Sequence, residues 1–539
     1  MKRTVPRLGR AAVCIGLGLA LCCSCSVLPP ASGKPAASTA SSVPTDANGA
    51  SLYDASRLDD GNLRMLYGYD NTGSSSTVLC GSKVLYQSAR SENVYLLQDT
   101  VTGETNYWFR NWSDPEGRGG RRCALYDKDG SEVLAFDGQQ SATMQNGLLV
   151  LQESRMLGDR YADGYDDYGT CQVIDPASGA ALPAPDGAYS CIVCGDQLVY
   201  TCYARPEGLS EDEWDDEPNL HSWVIAQTKD GTQTYRADST VALSLSYTAD
   251  SLTDWVELDT YHADGAPVEQ TLYNPVTGEG FAGYTQTCGN GTACFTTADG
   301  RYELRDMTAE DRAVIGTFDD MPSSYFPGYV VTWRTSSDYG YDLHDLVSGE
   351  VTPLNAASTA NDTIALYYKD GRLKVFSTVT GEILTDTSAG TLESGQTVRL
   401  DSEDNGYVWL EVLNDSYETL STRVYGLEGL VTDLTELQDK YSNLNYLTTT
   451  PEGRPLYYGT SDKFSSATSL CDVLDETGNV VLYGLGSCYS YYSNSLNQLP
   501  DHVFVARRGF YYGWMDTDGS WLYCQSIFST LNDDDEMGY

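Results

Sequence analysis

The chain has 539 residues, with Asp and Glu at 76 against Lys and Arg at 33, for a formal charge of −43. Such a body repels nucleic acid, anionic lipid headgroups and anionic wall polymers unless cations bridge them. Tyr at 40 and Gly at 51 suit many short strands joined by tight turns, and of fifteen cysteines the eleven after residue 25 lack the density and spacing of a disulfide-stapled miniprotein.

Residues 1–25 read as an export signal: a basic start, then an apolar run from Ala11 to Cys22 that is too short for a membrane-spanning helix. The run ends in Leu21-Cys22-Cys23-Ser24-Cys25-Ser26, which resembles a bacterial lipoprotein signal, where a small residue precedes the Cys that takes the lipid. Ser24 fits that role and makes Cys25 the expected lipidation site, with Cys23 as the alternative. A plain secretory leader is the competing reading. No later stretch is apolar for long enough to span a bilayer, so the lipid would be the anchor. Residues 26–58 are mostly Pro, Ala, Ser, Thr and Gly, a composition that buries no core and serves as a flexible tether.

From residue 59 to 539 one phrase keeps returning: a strand, an Asp or Asn, two residues, then Thr-Gly-Glu or a shorter Asp-Gly, and another strand. The long form is anchored at Asp99, Asp175, Asn274, Asp345 and Ser377, with Gly103, Gly179, Gly278, Gly349 and Gly381 four residues on. The short form pairs Asp127 with Gly130, Thr228 with Gly231, Asp475 with Gly478 and Asp516 with Gly519. Residues four and two before the anchor are apolar or aromatic, for example Tyr95 and Leu97 or Cys471 and Val473, the period of a strand with one buried face. The anchor side chain folds back onto the backbone as an Asx turn, and Gly supplies the positive φ that closes the hairpin. Nine copies in register make this a repeat protein. Anchor spacings near 50 residues in several places and near 30 in others lead to an all-β fold, a single β-propeller of seven or eight blades, some trimmed and some carrying insertions. An array of β-sandwiches is the runner-up. Leu430, Leu434, Leu437 and Tyr441, after Asp433 and with Glu436, predict one short helical insertion near 433–442.

Asp-x-x-Thr-Gly-Glu inside strand-turn-strand resembles the repeats of quinoprotein-like (PQQ-like) propellers, and Gly513-Trp514-Met515-Asp516-Thr517-Asp518-Gly519-Ser520-Trp521 resembles a WG-type repeat. The Trp that follows Thr-Gly in the quinoprotein docking motif is missing. After Thr102-Gly103-Glu104 that position is Tyr107, with Trp108 one residue late. The resemblance therefore implies a propeller and not a dehydrogenase, and no cofactor is expected.

Chemistry-bearing residues are sparse. His221, His262, His344 and His502 are far apart and match no zinc spacing. The nucleophile-elbow, Walker and dinucleotide-binding patterns are absent. Cys191 and Cys194 lie in a strand-like run where residues three apart face opposite sides, which argues against a metal or redox pair. Cys288 and Cys294 flank a Gly-Asn-Gly tip and could close a local bridge. The acidic stretches 159–168 and 211–217 are candidate contacts for Ca²⁺ or a basic ligand, though neither has EF-hand spacing, and solvation alone accounts for such runs. Tyr489-Ser490-Tyr491-Tyr492-Ser493-Asn494-Ser495 could face a glycan or simply pack. The reading is a lipid-anchored binding or scaffolding module on the extracytoplasmic face of a bacterial membrane. It is non-catalytic and engages an envelope protein or, failing that, a glycan. The alternative is an extracellular carbohydrate-active hydrolase or lyase with carboxylates at the propeller mouth.

Overall fold

The recurring phrase is a hairpin turn built as its residues dictate. The computed structural model describes residues 51–526 except 71–72, 89–91, 114–120, 139, 156–166, 205–220, 240–242, 248–251, 253, 261–267, 335–339, 362–363, 403–407, 427, 439, 442, 462–469, 490–498 and 501. Asn274 Oδ1 accepts from the backbone N–H of Val276 at 2.9 Å and of Thr277 at 3.0 Å. Asp345 does the same for Val347 and Ser348, at 2.9 and 3.0 Å, and Asp475 for Thr477 and Asn479, both at 2.9 Å. The glycine that closes each of these turns sits at positive φ: Gly278 at 75°, Gly349 at 76° and Gly478 at 81°. The side chain thus satisfies N–H groups that the turn would otherwise leave bare, and glycine takes the left-handed position at no steric cost.

Among the described residues the strands form eleven antiparallel sheets in chain order, ten of four strands and the first of three. These blades span 63–87, 93–137, 141–181, 188–239, 243–282, 284–318, 321–354, 356–388, 397–433, 443–485 and 487–526. Each is a simple meander, so first–second and third–fourth turns share one rim and second–third connections the other. The repeated phrase forms the third–fourth turn in blades 2 to 5, 7, 8, 10 and 11. Asp99 is the exception, turning the first strand of blade 2 into the second.

The expected seven or eight blades are corrected to eleven. The short spacing from Asp345 to Ser377 is a whole blade and not a trimmed copy, while that from Asp99 to Asp127 lies inside blade 2. In blades 6, 7 and 8 four strands of four to six residues, joined by short turns, fit within 284–318, 321–354 and 356–388.

Every neighbouring pair of blades shares one apolar cluster. Leu97, Phe109 and Phe136 of blade 2 meet Met144 and Leu149 of blade 3. Phe326 and Val331 of blade 7 meet Tyr367 and Phe376 of blade 8. Trp409 and Val424 of blade 9 meet Tyr457 and Leu474 of blade 10. The eleventh cluster joins the ends of the chain: Leu66 and Leu79 of blade 1 pack on Val505, Trp514 and Leu522 of blade 11. Eleven blades and eleven seams make a closed single propeller. The first strands approach one another between blades 1 and 2, 2 and 3, 4 and 5, 6 and 7, and 8 and 9.

The folded body also starts before residue 59. Tyr53 pairs in parallel with Trp521, Asp54 N donates to Trp521 O at 3.0 Å, and Leu58, at the end of a 3-10 turn Ala55–Leu58, is fully buried in the closing seam. The helical insertion shrinks to one turn, Thr435–Gln438, whose entry is capped by Asp433 Oδ1 accepting from Thr435 N at 3.0 Å. Leu434, Leu437 and Tyr441 enter the seam between blades 9 and 10 as expected, but Leu430 is exposed on the preceding strand Gly429–Asp433.

All ten cysteines with described side chains are free thiols. Cys191 and Cys194 do face opposite sides, the first toward blade 3 and the second toward blade 5. Cys288 and Cys294 form no bridge. Cys294 stands opposite Gln286, a register shift follows, and Cys288 lies diagonal to it with Sγ donating to Pro322 O at 3.5 Å.

Candidate functional site

The sequence-selected candidates do not converge. Cys25 and Cys23, residues 159–166, residues 211–217, His262 and residues 490–495 lie outside the described residues. Asp167 and Tyr168 open the strand Asp167–Asp175, His221 opens His221–Thr228, and Tyr489 ends Ser487–Tyr489. In the chain the two acidic stretches fall between the second and third strands of blades 3 and 4.

His344 sits in the seam of blades 6 and 7. Its Nε2 is 3.0 Å from Thr332 Oγ1 and its ring meets Phe318 edge-on at 5.1 Å. Burial lowers its pKa, so it is a neutral packing residue. His502 belongs to the ring closure, with Nε2 3.1 Å from Arg57 Nη2 and 3.9 Å from Asp516 Oδ2. Among the described residues no three His, Cys, Asp or Glu side chains are gathered as a metal would require.

A polar cluster lies in the seam of blades 1 and 2. The strand Thr105–Ser113 alternates, so Trp108, Arg110 and Trp112 all face blade 1. Trp108 stacks between Tyr126 at 4.2 Å and Tyr86 at 5.4 Å, and its Nε1 donates to Asp127 O at 3.2 Å. The Arg110 guanidinium stands 4.3 Å from the Trp112 ring centre and 4.7 Å from that of Tyr86. It grips Glu92 with two bonds, Nη2 to Oε1 at 2.6 Å and Nε to Oε2 at 3.1 Å. The Tyr86 hydroxyl donates to the same carboxylate. Charge, fork geometry and two ring faces are thereby all engaged, which fixes Arg110 rigidly.

The cluster continues onto the third and fourth strands of blade 2. There Arg122 lies over Trp112 at 5.8 Å and faces Asp137 at 3.8 Å, its side chain 37% exposed. Glu132, opposite Tyr126 in the register, has Oε1 shielded from solvent with no hydrogen-bond partner. Burial raises its carboxyl pKa, against the opposing pull of Arg122, Tyr126 and Arg110. The arrangement offers an aromatic ring edge, one partly exposed cation and one carboxyl that holds its proton above the ordinary range. It can recognise a planar or anionic group. Sequence reading passed over these residues, although the alternation Trp108, Arg110, Trp112, set against Arg122 and Tyr126 one hairpin later, is visible in the chain.

Comparison with known proteins adds a family description to the second half. Residues 272–534, blades 6 to 11 and the end of blade 5, match the model of a domain of unknown function (DUF5046). No curated protein matches. Among solved structures, the chain is similar to a eukaryotic initiation factor at 10% identity, covering 66% of this chain and 93% of that one with a TM-score of 0.33. It is similar to Sqt1 from Chaetomium thermophilum at 10% identity, covering 58% and 91% with a TM-score of 0.24. The β-propeller domain of the trilobed protease from Pyrococcus furiosus is matched at 9% identity, covering 63% and 96% with a TM-score of 0.26.

Proposed function

We propose that the protein is a lipoprotein of the extracytoplasmic membrane face whose propeller is a non-catalytic binding or scaffolding module, with an envelope protein as its partner. The observation that carries the address is the order of segments: a basic start, a short apolar run ending at Ser24-Cys25, and a Pro/Ser/Ala tether leading into the ring. Lipid on Cys25 would hold the body at the membrane, with the tether setting its distance. The cluster of Trp112, Arg122 and Glu132 supports recognition, since an amphipathic ring beside an accessible cation is the chemistry of a contact surface. Acidic connections on blades 3 and 4 would add basic partners or Ca²⁺.

One observation favours a second reading. The raised carboxyl of Glu132, opposite Tyr126 and near Arg122, is the kind of group that serves as a general acid on a sugar, so an extracellular carbohydrate-active hydrolase or lyase is the alternative.

Two measurements test this. Metabolic labelling with an alkyne fatty acid should mark the wild-type chain and fail for Cys25→Ala; label retained on that variant and lost from Cys23→Ala moves the site. The detergent-extracted full chain, immobilised and exposed to solubilised envelope with and without chelator, should retain one stoichiometric protein. Retention of glycan that emerges shortened replaces the binding reading with the enzyme.

A further inference from the structure

Three cysteines meet where blade 3 packs on blade 4. Cys171 lies on the strand Asp167–Asp175, Cys191 on Ala188–Cys194 and Cys202 on Gln197–Ala204. All three side chains enter one buried cluster with Val150, Val173, Val193 and Tyr200. Cys171 and Cys191 belong to different blades whose strands Asp167–Asp175 and Ala188–Cys194 pack directly on each other, and the two thiols stand near enough to interact across the seam. Cys202 is placed differently. Its strand sets Tyr200 opposite Cys191 and Ala188 opposite Cys202, so Cys202 is diagonal to Cys191 within one sheet. Diagonal neighbours on paired strands stand about 7–8 Å apart, beyond the usual Cα window of a disulfide at about 4.4–6.8 Å. Cys288 and Cys294 lie within blade 6, with Cys288 in a register shift and its thiol beside that of Cys294, so a bond there would stay inside one sheet and stitch no seam.

We propose that Cys171 and Cys191 close into a disulfide that stitches blade 3 to blade 4 in the mature protein. The proposal rests on the extracytoplasmic reading, because such bonds persist in oxidising compartments. The oxidant is a disulfide donor, either a small-molecule disulfide or a disulfide-carrying oxidoreductase. The Cys171 thiolate attacks one donor sulfur, forming a mixed disulfide and expelling one donor thiolate. The Cys191 thiolate then attacks Cys171 Sγ, forms the protein disulfide and expels the second. The protein loses two protons and two electrons, and the donor leaves as two thiols. Burial, joined by the neighbouring Cys171 thiol, pushes the Cys191 thiol well above its ordinary range. A thiol so shielded reacts slowly once the seam has closed, so the bond forms during folding. It then resists both reductant and oxidant.

The test has two arms on the full chain. Protein extracted from its own membrane under rapid alkylation is cleaved at aspartate, which separates Cys171, Cys191 with Cys194, and Cys202 into different fragments at Asp175, Asp186 and Asp196. The expected product joins the Cys171 fragment to the Cys191–Cys194 fragment, persists in Cys194→Ser and Cys202→Ser, and is lost in Cys191→Ser. In the second arm, reduced and denatured chain is refolded with a glutathione redox buffer. The same product should form, whereas the already folded, reduced chain should stay unbridged in that buffer for hours. No bridge on refolding, or a bridge between Cys191 and Cys202, overturns the pairing. A bridge on refolding with free thiols in the membrane extract overturns instead the compartment on which the proposal rests, and the proposal for the cell with it.

Discussion

Thr77 Oγ1 donates to Gln525 Oε1 at 2.7 Å, joining the second strand of the first blade to the last strand of the eleventh. Both side chains are buried, and the bond lies in the seam that holds the two ends of the chain together. Arg57 extends the latch outward through an ion pair with Asp516, the turn anchor of blade 11. A propeller opens most readily at the seam where its ends meet, since no chain connection crosses it and the short Tyr53–Trp521 backbone pairing is its one main-chain tie among the described residues. Thr77→Val keeps the shape but removes the donor from a buried acceptor, a loss of about 1–3 kcal/mol. Leu58→Ala, which hollows the same seam, should cost about 2–5 kcal/mol. Urea denaturation checks both. In native-state proteolysis the first cuts should fall in blades 1 and 11, and cuts beginning in the middle of the chain would show that the ends are not the weak seam.

Glycines in the repeated turn are not equivalent. Gly278 and Gly381 have nearly the same φ, 75° and 74°. A Cβ on Gly278 would meet nothing within 4 Å, whereas one on Gly381 would lie 2.1 Å from Pro327 O, a backbone carbonyl that cannot swing aside. Gly278→Ala should therefore cost only the left-handed penalty of about 1–2 kcal/mol. Gly381→Ala should cost clearly more, since the turn must shift off blade 7. Denaturation midpoints of the two variants, compared side by side, test whether blades 7 and 8 touch at that turn.

This difference shows where sequence reading reaches and where it stops. The Asx turns, their glycines and the alternation of buried residues before Asp127 or Asp475 are local, set by neighbours in the chain, and the structure contains them. The number of blades is legible only in part, because blades 1, 6 and 9 lack the phrase as a third–fourth turn and a count of anchors falls short of eleven. The contact of Gly381 with Pro327, the stack of Tyr86 on Trp108 and the meeting of Cys171 with Cys191 depend on which blade faces which. No local pattern encodes that. The site suffered most for this reason: Arg110 reads as one more charged strand residue until Tyr86 and Glu92 are seen on either side of it.

Asp99 gives the ring a pH dependence. Its carboxylate accepts four backbone N–H groups: Val101 and Thr102 of its own turn, both at 2.9 Å, and Asn146 at 3.1 Å and Gly147 at 2.5 Å from blade 3. Burial alone would raise its pKa, but these donors, Gly147 foremost, outweigh it and hold the group below its ordinary 3.8. A lowered carboxylate contributes stability that is fully present above the unfolded value and is lost as pH falls through the folded value. Asp99→Asn should thus be less stable than wild type by about 1–3 kcal/mol at pH 7. The gap should close as the pH drops below 3.8, where the protonated wild type comes to resemble the amide. Denaturation midpoints of both proteins from pH 7 to pH 2 measure it. A gap that stays constant over that range would mean that the anion contributes nothing beyond its shape.

The cluster of blades 1 and 2 separates a structural cation from an available one. Arg110 is mostly buried, doubly bonded to Glu92 and enclosed by Tyr86 and Trp112. Arg110→Ala leaves Glu92 as a shielded charge without its cation, and breaking such a pair costs about 3–5 kcal/mol. Arg110→Lys keeps the charge but loses the second bond and the flat stacking face, so it should rescue only part of the loss. Arg122 is more exposed and its pairing with Asp137 is long at 3.8 Å, so Arg122→Ala should move stability by no more than about 0.5 kcal/mol. If the Arg122 side of this cluster is the contact surface, the same Arg122→Ala variant should lose the captured envelope partner at unchanged fold, and that loss should deepen with Trp112→Ala. Undiminished capture by a folded Arg122→Ala, Trp112→Ala double variant would remove this face from the binding surface and leave the acidic connections of blades 3 and 4 as the place to look.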